Sequence, residues 1–144
     1  RSDELRKRLS GVAPEERLPP GAYSQARSRA VHQALFGMAR TALSAGHSVV
    51  LDAAFLEERN RLEAEAVAQE LGIPFTGFWL HAPIEVLRAR ILARTGDASD
   101  ATVDVLERCA RATRGKVGWT WLDASADPVP AAEQALVAQG AVPA

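Results

Sequence analysis

The run Ser48-Val-Val-Leu-Asp-Ala-Ala-Phe55 constrains the fold more than any other stretch of this chain. Three consecutive aliphatic residues, two of them β-branched, precede a single acid, Asp52, and helical patterns flank the run on both sides. An apolar run of this length without alternation predicts a strand over 48–53 buried on both faces, as in a parallel sheet covered by helices. In open α/β sheets ligands gather beyond the carboxyl ends of the strands. An acid where such a strand runs out therefore faces a crevice, although Asp52 alone reads equally well as a solvated acid opening the next loop.

The remaining segments fit the same architecture. Residues 1–9 read as a turn and a short helix, with Ser2 or Asp3 as N-cap and Glu4 in the first turn. Leu5 and Leu9 share one face there, and Arg6, Lys7 and Arg8 read as a solvated basic face. A loop with three prolines follows over 11–21. Then comes a long amphipathic helix over 24–45, with Val31, Leu35, Met38, Ala42 and Leu43 at helical spacing and Gly46 closing it. Next are a helix over 57–71 ended by Gly72, and a strand over 75–80. The helix opened by Pro83 turns Leu87, Ile91 and Leu92 inward. Gly96-Asp-Ala-Ser-Asp100 interrupts it before a helix over 101–112 with the stripe Val103, Leu106 and Ala110. A strand over 119–123 and a terminal helix after Asp127-Pro128 complete the chain. Arg59, Arg61 and Arg88 read as solvated, His32 and His47 as structural, and Trp119 and Trp121 as core and sheet anchors.

Strands alternating with helices predict a parallel α/β sheet with right-handed crossovers. The helical hairpin around residue 96 exceeds what a crossover needs, which suggests a lid. Its tip, 94–101, has few apolar anchors and belongs at the low-stability end of the domain, with Arg90 and Arg94 exposed.

At 144 residues the chain has the length of one domain, and 47% hydrophobic with 24% charged residues makes it globular. A net charge of −1 and a pI near 6.4 argue against an extensive phosphate-binding surface and against nucleic acid as a partner. The single cysteine, Cys109, excludes an internal disulfide and suits a reducing, cytoplasmic setting. No apolar run approaches the roughly 20 residues of a membrane-spanning helix.

Four stretches together carry a resemblance: Arg1-Ser-Asp3-x-x-Arg6; Val49-Val-Leu-Asp-Ala-Ala-Phe55; Arg90-x-x-x-Arg94 with Gly-Asp-Ala-Ser-Asp100; and Leu122-Asp-Ala-Ser-x-Asp-Pro128. In this order they resemble the P-loop small-molecule kinases. The branch they are most similar to is the AAA-type ATP-binding domain fused behind aminoglycoside-phosphotransferase-like domains. Phage polynucleotide kinase, gluconate kinase and zeta toxin are more distant. The resemblance implies a three-layer α/β domain with a parallel sheet over residues 1–144 and a helical lid over about 88–114. It also implies that the strands at 48–53 and 75–80 are parallel and interior but not neighbours, so that no ladder joins Val50 to Phe78.

The resemblance assigns roles residue by residue. Asp3 takes the proton of the acceptor hydroxyl, and Arg6 with Arg1 holds the acceptor. Asp52 holds Mg²⁺ through water, and Arg90 and Arg94 close on the triphosphate of ATP. The loop with Asp123, Ser125, Asp127 and Pro128 passes the adenine. Phosphoryl transfer needs such a set, because a carboxylate orients the nucleophile while cations neutralise the equatorial oxygens.

One element of the pattern is absent from the sequence: there is no Gly-x-x-x-x-Gly-Lys-Ser/Thr to cradle phosphate on backbone N–H groups. The family places that strand, loop and helix just before Arg1, so these residues are expected to be a fragment, inactive alone, with a phosphotransferase-like domain further upstream. Two functions follow: an ATP-dependent kinase for a hydroxyl of a small molecule, or a nucleotide-binding regulatory module of a larger fused protein. An end kinase for nucleic acid has only the Asp3–Arg6 spacing behind it.

Overall fold

In the computed structural model, which describes residues 1–112 and 115–140, three helices lead to the first of two strands, two more helices lie between the strands, and a sixth helix follows. Helix α1 (Ser2–Leu9) is followed by a single 3₁₀ turn at Pro20–Tyr23 and the long α2 (Gln25–Ser44). Then come α3 (Glu58–Glu70), β1 (Phe78–His81), α4 (Ile84–Ala93), α5 (Val103–Ala112), β2 (Thr120–Asp123) and α6 (Val129–Ala138). The expected lid ends at 114, so its last two positions lie outside the described residues.

Helix boundaries follow local chemistry. Ser24 caps α2 by accepting the Arg27 N–H, and Gly46 and Gly72 end α2 and α3 with φ of 85° and 64°, which a side chain would resist. At α1 the expectation fails: Arg1, not Ser2 or Asp3, is the N-cap residue, and no side chain caps the helix. The chain instead satisfies one free N–H from outside, Ser2 donating to the Asp52 carbonyl at 2.8 Å. That bond joins the start of α1 to the end of the 48–53 run.

β1 and β2 pair in parallel, Phe78 opposite Thr120 and His81 opposite Asp123, as the crossover pattern requires. No ladder joins 48–53 to β1 among the described residues, but neither segment is interior to a sheet there: β1 pairs with β2 on one side, and 48–53 has no ladder partner. The run itself, however, is not a strand buried on both faces. It is extended but has no ladder partner, and its one backbone hydrogen bond among the described residues is the bond to Ser2. Its side chains alternate: Val49, Leu51 and Ala53 pack against the core, while Val50 is 91% exposed and Asp52 is exposed. Helices cover one face only, so three aliphatic residues in a row predict more burial than this run receives.

The core has two parts. Phe36, Ala39, Phe55, Ala64 and Val67 pack together, with Phe75, Trp79 and Trp119 around them. Leu5, Val31 and Leu35 form a second cluster between α1 and α2, and Leu51 and Ala53 touch both. Trp119 anchors this core as expected, meeting Phe55 edge-on at 5.1 Å and donating its indole N–H to Glu65 at 2.7 Å. Trp121 does not; it is 56% exposed. Leu9, Leu92 and Ala110 are also exposed rather than inward, because nothing among the described residues covers those faces.

Gly77, just before β1, lies flat against the Trp119 ring, which a Cβ at that position would overlap. Gly77→Ala is expected to lower stability by about 1–3 kcal/mol, the usual cost of overpacking. An unchanged denaturation midpoint would show that the ring can move aside.

Three basic side chains assigned to solvent are buried. Arg6, Lys7 and Arg61 retain 9%, 1% and 2% of their exposure. Burial of a cation is tolerated only where acceptors surround it. Arg61 donates to the carbonyls of Phe55 at 2.6 Å, Leu56 at 3.2 Å and Lys116 at 3.1 Å, and lies over the Trp79 ring. Arg88 reaches Glu107 at 2.7 Å across the α4–α5 hairpin. His32 is structural, its Nδ1 2.9 Å from the Ser28 carbonyl.

Candidate functional site

Helix α1 carries Asp3 and Arg6 three residues apart, hence on one face. The Asp3 carboxylate is half-buried and makes no hydrogen bond or ion pair among the described residues. Arg6 is held from both sides. Its terminal nitrogen donates to the Ala22 carbonyl at 2.9 Å, and the guanidinium lies over the Tyr23 ring at 4.8 Å. Its Nε is buried without a hydrogen-bond partner among the described residues.

Arg1 connects two other parts of the chain. It donates through Nε to Asp52 at 3.0 Å and through both terminal nitrogens to Asp97 at 3.1 and 3.2 Å. The 48–53 run and the loop between α4 and α5 thus meet on one arginine. The Arg1 hydrogen bond holds the Asp97 carboxyl below the ordinary carboxylate range, helped by the Ser99 N–H at 2.8 Å.

The same loop is fixed a second time, at Asp100. Its carboxylate accepts from Lys7 Nζ at 2.9 Å, the Leu18 N–H at 3.0 Å and the Tyr23 hydroxyl at 2.5 Å. Lys7 also donates to the Glu16 carbonyl at 2.7 Å. Burial and the bond to Asp100 push the Tyr23 phenol well up from its ordinary value. Burial alone would raise the Asp100 carboxyl, but the three donors outweigh it and hold it low.

The tip of the hairpin is therefore not short of anchors. Its anchors are polar, and Ala98 between them is buried. Sequence reasoning missed Lys7, Tyr23 and Asp100. The available signal was composition: among 17 basic residues only Lys7 and Lys116 are lysines, so a lysine inside a basic run had a reason to be there.

Arg90 and Arg94 are exposed, as expected. Arg94 closes its own loop on the Ala101 carbonyl at 2.8 Å, and Arg90 reaches the Ser125 carbonyl at 3.3 Å, which ties α4 to the segment after β2. In that segment Asp123 accepts the Ser125 N–H at 2.8 Å, and Asp127 accepts the Val129 N–H at 3.0 Å beside Pro128, the N-cap residue of α6. Hydrogen bonds from Ser125 hold the Asp123 carboxyl low. The structure thus links Arg1 with Asp52 and Arg90 with Ser125, and it places Asp3 beside Arg6 on α1.

A family model described as an AAA domain matches residues 1–115. The chain belongs to this family. AAA domains of this kind are nucleotide-binding and of the P-loop type. The matched span of the AAA domain includes Asp3, Arg6, Asp52, Arg90 and Arg94, and ends before the loop at 123–128.

Two uncharacterized proteins are similar to it, one from Mycobacterium tuberculosis (strain ATCC 25618 / H37Rv) and one from Mycobacterium bovis (strain ATCC BAA-935 / AF2122/97). Each is 36% identical over 108 residues, covering 72% of this chain. The chain spans 22% of the length of these curated relatives. No solved structure matches it. No helix among the described residues is long and apolar enough to cross a membrane.

Asp52, Arg90 and Arg94 are the groups of this domain with donor types suited to a metal-bound nucleotide. Asp52 offers an exposed carboxylate with one oxygen on Arg1 and the other open, and Mg²⁺ is usually held by one or two carboxylates together with water and phosphate oxygens. Among the described residues no cluster of His, Cys, Asp and Glu could hold a metal unaided. Arg90 and Arg94 each give one N–H to a carbonyl, which leaves further donors of each fork for phosphate.

Proposed function

We propose that this domain, in the intact protein, transfers a phosphoryl group from ATP to a hydroxyl of a small molecule. One observation supports the reading most: a half-buried Asp3 carboxylate without hydrogen-bond or ion-pair partners among the described residues stands one turn from the buried Arg6. A carboxylate in a structural role would be capped or paired, as Asp97, Asp100, Asp123 and Asp127 are.

Asp3 accepts the proton of the acceptor hydroxyl as the oxygen attacks, and Arg6 and Arg1 orient the acceptor. Arg90 and Arg94 supply positive forks to the transferring phosphates and exclude water. Asp52 would hold Mg²⁺ through water, and the ion would supply neutralisation of phosphate charge when bound. The loop from Asp123 through Ser125 and Asp127 to Pro128 borders the adenine. A phosphate-cradling loop upstream of Arg1 belongs to this reading, as do an upstream phosphotransferase-like domain and a cytoplasmic location.

A second reading has its own observation. Arg1 directs Nε and both terminal nitrogens at Asp52 and Asp97, which suits a nucleotide-sensing module whose loop is clamped and which takes no acceptor. Single-turnover incubation of the intact protein with ATP labelled in its terminal phosphate and a pool of small metabolites separates the two. A labelled product is expected. Bound nucleotide with no label transferred would overturn the kinase reading in favour of the sensor.

A further inference from the structure

The α4–α5 hairpin has its fixed and its loose parts in the reverse of the expected places. Neither helix contains a buried residue, whereas the loop between them is buried at Ala98 and held at Asp97 and Asp100. Segments with few buried apolar contacts open most easily, so the helices are the movable arms and the loop is the fixed point. Arg94, the C-cap residue of α4, stands three positions before Asp97. Whatever its remaining N–H donors take up therefore pulls directly on that fixed point.

The loop is tied to α1 twice, and the two ties differ in kind. Arg1 pairs with Asp97 near the surface, where water and salt weaken an ion pair. Lys7 and Asp100 are both largely buried, and a charged hydrogen bond in such surroundings is strong and fixed in geometry. Lys7 lies one helical turn after Asp3 on the same face of α1. Tyr23 completes the connection, donating its hydroxyl to Asp100 at 2.5 Å while its ring lies 4.8 Å from the Arg6 guanidinium. After burial and the bond to Asp100, the charge of Asp3 also pushes the Tyr23 phenol up, so Asp3 is within electrostatic reach of the same side chain.

We propose that Lys7, Tyr23 and Asp100 are positioning residues that join the loop to α1 as one unit, so that phosphate held by Arg94 seats Asp3 and Arg6 for the acceptor. The roles of Arg94 and Asp3 in this coupling rest on the phosphoryl-transfer reading. One site influences another only through an element whose arrangement both of them bias, and the loop with α1 is that element. The three residues act through Asp3, Arg6 and Arg94, not on the reacting atoms.

The test follows amide hydrogen exchange in the intact protein, with and without Mg²⁺ and an ATP analogue whose terminal phosphate cannot be transferred. Nucleotide is expected to slow exchange in α4 and the loop after it, and also in α1. Tyr23→Phe keeps the ring over Arg6 and loses only the bond to Asp100. It is expected to reduce the slowing in α1 about tenfold, the worth of one hydrogen bond to a charged group, and to leave the slowing in α4 unchanged. Lys7→Met with Asp100→Leu is expected to abolish the slowing in α1. A merely structural network would alter exchange equally with and without nucleotide, so the nucleotide-dependent difference decides. If the double variant does not fold, Tyr23→Phe decides alone. Slowing confined to α4 and its loop in the parent, or slowing in α1 that the variants leave unchanged, overturns the coupling and leaves nucleotide binding intact. No slowing anywhere overturns nucleotide binding and the coupling together. Slowing in α1 that the variants remove, without labelled product from ATP, upholds the coupling and overturns the transfer it would serve.

Discussion

Asp3→Asn in the intact protein is expected to lower kcat by about 10²- to 10⁴-fold while leaving nucleotide affinity nearly unchanged. Asparagine keeps the size and position of the side chain on α1 and removes only its ability to take a proton. Asp3 has no hydrogen-bond or ion-pair partner among the described residues to lose, so stability is expected to stay within about 0.5 kcal/mol, as for changes away from packed or paired features generally. That combination separates a base from a scaffold: a scaffold residue would move the denaturation midpoint along with the rate. Turnover retained in Asp3→Asn would remove the residue from the chemistry.

Asp100→Ala is expected to act on stability instead, by about 3–5 kcal/mol, because removing one partner leaves a buried charge uncompensated. Lys7 would remain at 2% side-chain exposure with only the Glu16 carbonyl, and the Leu18 N–H and Tyr23 hydroxyl would lose their acceptor too. Removing both charges should hurt less. Lys7→Met with Asp100→Leu is expected to be closer to the parent than Asp100→Ala alone, since well-packed apolar groups often replace a buried pair at little cost.

Acid supplies an independent check. The folded Asp100 carboxyl is held below its ordinary value of about 3.9, so its contribution is complete above that pH and fades as pH falls through the lower folded value. The stability gap between the parent and Asp100→Ala should therefore be widest near neutrality and narrow in strong acid. Urea midpoints at several pH values measure it; a gap independent of pH would mean that the charge is not what Asp100 contributes.

How much of this was legible in the sequence depended on which interaction decides each element. α2 and α3 were readable almost to the residue, because an apolar stripe and a closing glycine act locally. The parallel pairing of β1 and β2 followed from crossover chemistry. Burial at 48–53 was overestimated, since whether Val50 is covered depends on a neighbouring layer and not on valine.

The basic residues show the limit most clearly. Arg6, Lys7 and Arg61 look like a solvent face in sequence, and only the fold places the Ala22, Glu16 and Phe55 carbonyls around them. At the candidate site Asp3, Arg6 and Asp52 could be singled out by spacing and resemblance. Asp97 and Asp100 lie in a stretch that carries the resemblance, but their pairing with Arg1 and Lys7 could not be read, because those partners lie 96 and 93 residues away.

Phe55 has φ of 47°, a left-handed backbone that an aromatic residue adopts reluctantly, and its carbonyl accepts from Arg61 at 2.6 Å. The turn that ends the run bearing Asp52 is thus maintained by a side chain six positions later. Drift at the two positions should be strongly epistatic. A lineage that loses the arginine first must pay for an unanswered bend, whereas one that first acquires glycine at 55 relaxes the bend but gives up the ring that meets Trp119 and His32. Neither order is neutral, so the pair should be inherited as a block, and a library that randomises one position with the other fixed would miss most of the sequences this turn can accept.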